Sequence, residues 1–230
     1  DRFSRYIVGC KGQFNQQFNT TLRSCKKLMR YHGLPEIIRV DNGTPFASIA
    51  LGGLSQLSVW WIEQGIRVEF IRPSSPQENG SHERMHRDLK AEVASAPSPN
   101  MRAQQKRFDR WRHEYNHDRP HEALDMLRPA EIYHTSERRL GEQDKMRYPV
   151  GYDVKRISGS GHLSYCGSNF YLSEVYAGCK VGLFENLEGI TELHYANLHL
   201  GNLEFNSKDS WRPKSLIIKP DQEPRASKPV

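Results

Sequence analysis

No stretch of this sequence is apolar for long enough to cross a bilayer, and its start carries no signal-peptide pattern. Both absences argue against a membrane protein. Cysteine is scarce. Cys10, Cys25, Cys166 and Cys179 form no CxxC pair, and their spacing fits no zinc pattern, so they read as free thiols of a reducing cytoplasm. Acidic charge is the minority sign. With 33 Lys and Arg against 27 Asp and Glu, the net charge is +6 and the pI about 9.1. Eight of those cations, against three acids, fall within residues 1–48. A basic balance favours polyanionic partners, chiefly nucleic acid. Internal repeats are also missing. What remains is a soluble globular chain, with 37% hydrophobic and 26% charged residues and a mean hydropathy of −0.75. At 230 residues it has room for two domains.

Taken in order, Tyr6–Cys10 (YIVGC) reads as the end of a buried strand, so the chain opens as though in mid-fold and is expected to be truncated. Phe14, Phe18, Leu22, Cys25, Leu28 and Met29 recur at helical spacing until Gly33 and Pro35 stop the helix. IIRV at 37–40 is of strand length and runs directly into Asp41-Asn42-Gly43. LSQLSVWWIEQ at 54–64 predicts a helix and IRVEFI at 66–71 a strand. A further helix over about 100–117 carries Phe108, Trp111 and Tyr115 as its core stripe. His113, His117 and His121 follow at i, i+4 and i+8, but Pro120 breaks that register and no carboxylate completes a metal set. This segment is read as packing the helix end against the core. After a polar linker, VKRI, HLSYC, NFYLS, CKVGLF, ITELHYA and LHLGNLEF alternate between turns, the pattern of a small all-β barrel of five or six strands. The last residues, rich in Lys, Pro, Ser and Asp, read as a loose tail.

The chain is organised around IRPSSPQENGSHERMHRDLKAE at 71–92. Prolines and Asn79-Gly80 hold its first half out of regular structure, and a helix then opens near Asn79 or Ser81. Glu83 falls in its first turn, and helical spacing turns Glu83, Arg87 and Lys90 the same way. Upstream, Asp41 stands at the carboxyl end of a strand, where open α/β sheets expose reactive groups. Asp41 and Glu83 thus face one edge of an α/β unit. Two carboxylates brought together repel unless a cation lies between them. Mg²⁺ suits such oxygen ligands, with Mn²⁺ as substitute. Arg87 and Lys90 would hold a phosphate backbone without reading its sequence. Each residue also has a plainer reading: Asp41 as an Asx turn, Glu83 and Arg87 as a solvated helix pair.

VDNGTPF at 40–46, PSSPQENGSHERMHRDLKAE at 73–92 and YNHDRPHEALDMLRPAEIY at 115–133 resemble the retroviral-integrase-type catalytic core. The opening DRFSRY is similar to the DDHSRY segment of bacterial insertion-sequence transposases with a D,D,E triad, and GLPEIIRVDNG to the approach to their second aspartate. The resemblance covers about residues 1–135. GHLSYCGSNFYL and AGCKVGLF resemble the β domain that such transposases carry behind the core.

The resemblance implies an α/β RNase H-like integrase core over residues 1–136, N-terminally truncated with its first strand missing. A linker at 137–149, an all-β SH3-like barrel at 150–205 and a flexible tail at 206–230 would follow. It implies a polynucleotidyl transferase that cleaves DNA at element ends and joins the freed 3′-hydroxyls to target DNA. Its partners would be double-stranded DNA, both element ends and target, and further copies of itself, as a homodimer or higher oligomer. It would work in the bacterial cytoplasm, associated with the nucleoid. Carried over by motif, Asp41 and Glu83 are the second and third catalytic, metal-holding carboxylates. Arg87 and Lys90 fall at DNA-contacting positions, and Gln77, Asn79 and Gly80 in the mobile loop beside the active site. The first aspartate belongs to a strand before residue 1, and Asp1 is not its equivalent, so the chain as given is expected to be inactive alone. The alternative is a non-catalytic DNA-binding remnant or regulator derived from a transposase.

Overall fold

The computed structural model describes residues 1–15, 17–41, 43–48, 50–71, 80–142 and 146–203. They divide into two compact units: Asp1–Pro45 with Ile66–Gln143, and Phe46–Gly65 with Asp144–Val230.

In the first unit, helix α1 (Phe18–His32) ends at Gly33, whose N–H donates to the Met29 carbonyl at φ 78°. A Cβ there would lie 2.2 Å from the Ser136 carbonyl oxygen, so that close approach demands glycine. Strands β1 (Ile37–Val40) and β2 (Arg67–Phe70) pair in parallel, Ile37 against Arg67 through Val40 against Phe70. Helix α3 (Gly80–Leu89) runs on through a π-helical turn, Lys90–Ala94, closed by Ser95 N–H to the Lys90 carbonyl at 2.9 Å. Helix α4 (Met101–His117) starts at Asn100, whose side-chain oxygen accepts from the Ala103 N–H. The short α5 (Pro129–Ile132) closes the unit.

The core of this unit joins Ile7, Val93, Trp111 and Tyr115, with Cys10, Met85, Leu89 and Phe108 packed against it. The expected Phe108, Trp111 and Tyr115 stripe of α4 is therefore its centre. Tyr6–Cys10, expected as the end of a strand, pairs with no strand among the described residues. Its backbone is served instead by two carboxamides of α4. Asn116 accepts from the Ile7 N–H at 2.9 Å and donates back to the Ile7 carbonyl at 3.1 Å. Gln105, three turns earlier, donates to the Cys10 carbonyl at 2.8 Å and accepts from the Gly12 N–H at 3.0 Å. Buried backbone groups need partners of some kind, and side chains supply them here. Tyr133, from the last resemblance motif, stacks on Tyr6 at 4.1 Å and bonds His32 Nδ1 through its hydroxyl at 2.9 Å. His121 packs edge-on against Tyr115 at 4.7 Å, which closes the helix end on the core as expected.

The π-helical turn is fastened to α4 by Glu92. Its carboxylate accepts from Trp111 Nε1 at 3.0 Å and from both terminal nitrogens of Arg119, one at 2.8 Å. Those bonds from Arg119 hold the Glu92 carboxyl below its usual range. This clasp is therefore complete above the ordinary glutamate pKa and lost as pH falls through the lowered value.

In the second unit, the six predicted strand runs all form strands: β3 (Asp153–Arg156), β4 (His162–Tyr165), β5 (Ser168–Tyr171), β6 (Lys180–Glu185), β7 (Thr191–Tyr195) and β8 (Leu198–Leu203). They do not close into a barrel among the described residues. Strands β3-β6-β7-β8 form an antiparallel sheet and β4-β5 a separate hairpin. The physical reason lies upstream. Phe46–Gly65 supplies apolar cover: the Tyr176 hydroxyl donates to the Leu51 carbonyl, and the Leu200 side chain sits against Gly52. Helix α2 (Gln56–Glu63) in this segment is opened by a Ser55–Ser58 capping box and buries Leu57, Val59 and Trp61. No helix among the described residues is long and apolar enough to cross a membrane.

Candidate active site

Asp41 follows β1 directly, and the ladder continues one step beyond it as Ile71 N–H donates to the Val40 carbonyl at 3.0 Å. The Asp41 side chain is exposed. Its Oδ1 accepts from the Gly43 N–H at 3.0 Å, so the local Asx turn is present. That bond uses one lone pair of one oxygen and leaves Oδ2 open to a further partner. A Cβ at Gly43 would stand 3.2 Å from Oδ1, which makes glycine the residue that crowds this carboxylate least.

Glu83 lies in the first turn of α3, where the helix dipole favours negative charge. Met85 and Leu89 pack on the core and fix the facing of this helix. At roughly 100° per residue, Glu83, Arg87 and Lys90 then share the opposite side. All three are exposed. Among the described residues Glu83 has no hydrogen bond or ion pair, and Arg87 only a long 4.0 Å approach to its neighbour Asp88. The ordinary Glu83–Arg87 helix pair is not formed. Gly80 is the first residue of α3, and a Cβ there would meet nothing within 4 Å. Gln77 and Asn79 lie outside the described residues.

His82 precedes Glu83 in the first turn of α3. Desolvation lowers the pKa of the His82 imidazole, as does His86, whose ring centroid is 4.3 Å away. Asp41 and Glu83 both oppose the shift by favouring the charged ring, while the α-amino group of Asp1 adds to it. Sequence reasoning misses His82 and His86, although the run HERMH, with imidazoles flanking Glu83 on a helix, carries the signal. The Asp1 carboxylate itself is occupied, accepting from the Ser4 N–H and hydroxyl at 2.7 Å each.

One exposed carboxylate follows a parallel strand and another opens α3, with Arg87 and Lys90 exposed on the same side of that helix, and residues 64–129 match the integrase core domain family. The chain is also 28% identical over 111 residues to the uncharacterized 31.7 kDa protein of insertion element IS407 from Burkholderia multivorans. That match takes in 48% of this chain and 38% of the relative, well under half of its length. Residues 64–129 are thus similar to integrase core domains, and the chain is similar over about half its length to a bacterial insertion-element protein.

Proposed function

We propose that this chain forms part of a DNA transposase of the D,D,E kind, with Asp41 and Glu83 as two of its three catalytic carboxylates. The observation that supports this reading is an exposed carboxylate directly after β1 and a second in the first turn of α3, within a chain whose residues 64–129 match the integrase core domain. The donor set fits a hard divalent cation. Asp41 keeps Oδ2 open, Glu83 is unpaired among the described residues, and both offer oxygen alone, as Mg²⁺ or Mn²⁺ prefers. Such a cation, when bound, supplies Lewis-acid activation of a water or 3′-hydroxyl and stabilises the leaving oxygen of a phosphodiester.

The remaining work belongs to the chain. Arg87 and Lys90, exposed on the Glu83 side of α3, hold phosphates and set the DNA's register without reading bases. Gly80 at the start of α3, with Gln77 and Asn79 just before it in the sequence, belongs to the DNA-binding set. Double-stranded DNA, as element ends and target, is the substrate, and two or more copies of the protein bring two ends together. The small β-sheet unit is the SH3-like module of this family in open form. The protein acts in the bacterial cytoplasm at the nucleoid.

Residues 1–230 are expected to bind double-stranded DNA through the exposed cations of α3. An extended chain that contains these residues is expected to join labelled element ends to a supercoiled plasmid with Mg²⁺. Binding without joining by that extended chain would leave the DNA-binding remnant as the function. Replacing Arg87 or Lys90 with alanine should weaken binding alike on all sequences and reduce the salt slope by about one unit each. An unchanged slope would remove that residue from the DNA face.

A further inference from the structure

We infer that the β7–β8 hairpin carries a second metal site, for a divalent transition ion such as Zn²⁺, built from Glu192, His194 and His199. Strand alternation places Leu193 and Tyr195 in the core and Glu192 and His194 on the other face of β7. The register of the hairpin shifts between Leu193, paired with Gly201, and His194, paired with His199. That shift leaves one extra residue on β8, and irregularities of this kind re-aim side chains. His199 therefore stands directly across from His194, with ring centroids 5.1 Å apart. One ligand atom from each of the three residues lies within 4.8 Å of the other two. All three side chains are half-buried, His194 at 14% exposure and Glu192 at 28%.

The surrounding groups hold these ligands in place, as supporting hydrogen bonds do at metal centres. Asn186 is fixed by accepting from the Glu188 and Ile190 N–H groups at 3.0 and 3.1 Å, and its amide donates to Glu192 Oε1 at 3.1 Å. The second oxygen, Oε2, lies 3.0 Å from His194 Nε2. Tyr152 packs edge-on against the His194 ring at 5.5 Å, and His199 Nε2 lies 2.8 Å from Asn202 Oδ1.

Two imidazole nitrogens and one carboxylate oxygen suit Zn²⁺, Co²⁺ or Ni²⁺, and suit Mg²⁺ poorly. At zinc bond lengths the ligand atoms of a tetrahedral site stand roughly 3.4 Å apart, so small side-chain rotations complete this one. With three protein ligands, a fourth position stays open to water. The site would clip β7 to β8 and is separate in chemistry from the carboxylate pair at Asp41 and Glu83.

Titrating residues 1–230 with Zn²⁺ in millimolar Mg²⁺ tests this. One equivalent should bind, and His199→Ala or Glu192→Gln should weaken it by about 100-fold or more, while Asp41→Asn leaves it unchanged. Binding that persists undiminished in His199→Ala overturns the assignment. Should a variant not fold, imidazole nitrogen shifts in the wild-type chain decide the matter. Zinc must perturb His194 and His199 before the other histidines, and the reverse order overturns the site.

Discussion

Strand joining by a protein that contains this chain is expected to fall by about 10³-fold or more in either Asp41→Asn or Glu83→Gln, the equivalent of roughly 4 kcal/mol in the barrier. Both changes keep shape and hydrogen-bonding capacity while removing a charge. In Asp41→Asn the new carboxamide oxygen could still accept from the Gly43 N–H, so the Asx turn behind β1 should survive. Glu83 makes no hydrogen bond or ion pair among the described residues, so its loss as a charge should cost the fold little. DNA affinity should stay within about twofold, because the cations on α3 remain and one lost negative charge relieves repulsion of phosphate. Gel-shift binding beside a joining assay separates the two quantities. Joining at wild-type rate by either variant would remove that residue from the reaction.

The largest expected effect on stability lies at Trp111. Its ring is 3% exposed, lies at the centre of the first unit's core, and donates from Nε1 to Glu92. Arg119 sits 5.9 Å from the ring centroid and bonds the same carboxylate. Trp111→Ala removes the packing of α4 on Ile7 and Val93 and one of the bonds that fasten the π-helical turn. A cost of about 3–5 kcal/mol is expected, read as a lowered denaturation midpoint by urea titration. Trp111→Phe keeps most of the packing and loses the N–H, so it should cost distinctly less. Equal losses for the two would mean that the Glu92 bond, rather than ring burial, holds the turn. Because α3 leads directly into that turn, loosening it should also disturb the presentation of Glu83.

Much of this was legible in local pattern. The stop at Gly33, the α4 helix with its stripe and all six strands of the second unit follow from residue spacing and turn chemistry. So do the positions of Asp41 after a strand and Glu83 in a first helical turn. What failed depends on residues distant in sequence. Tyr6–Cys10 reads as a strand, but its backbone partners are the carboxamides of Gln105 and Asn116, roughly a hundred positions away. The β-rich region has barrel periodicity, yet closure depends on which apolar surface covers the sheet, and Phe46–Gly65 takes that part. The Glu192, His194 and His199 cluster escaped because it exists only once β7 and β8 pair in this register.

The central claim is that Asp41 and Glu83 together hold a divalent cation, and paramagnetic line broadening by Mn²⁺ in residues 1–230 tests it most directly. With the amides assigned and Zn²⁺ added first to fill the hairpin, low concentrations of Mn²⁺ should broaden Val40, Asp41 and Gly43 together with His82, Glu83 and Arg84. Both sets should sharpen again in Asp41→Asn and in Glu83→Gln. Broadening that leaves either set untouched, or that persists in both variants, would contradict the claim.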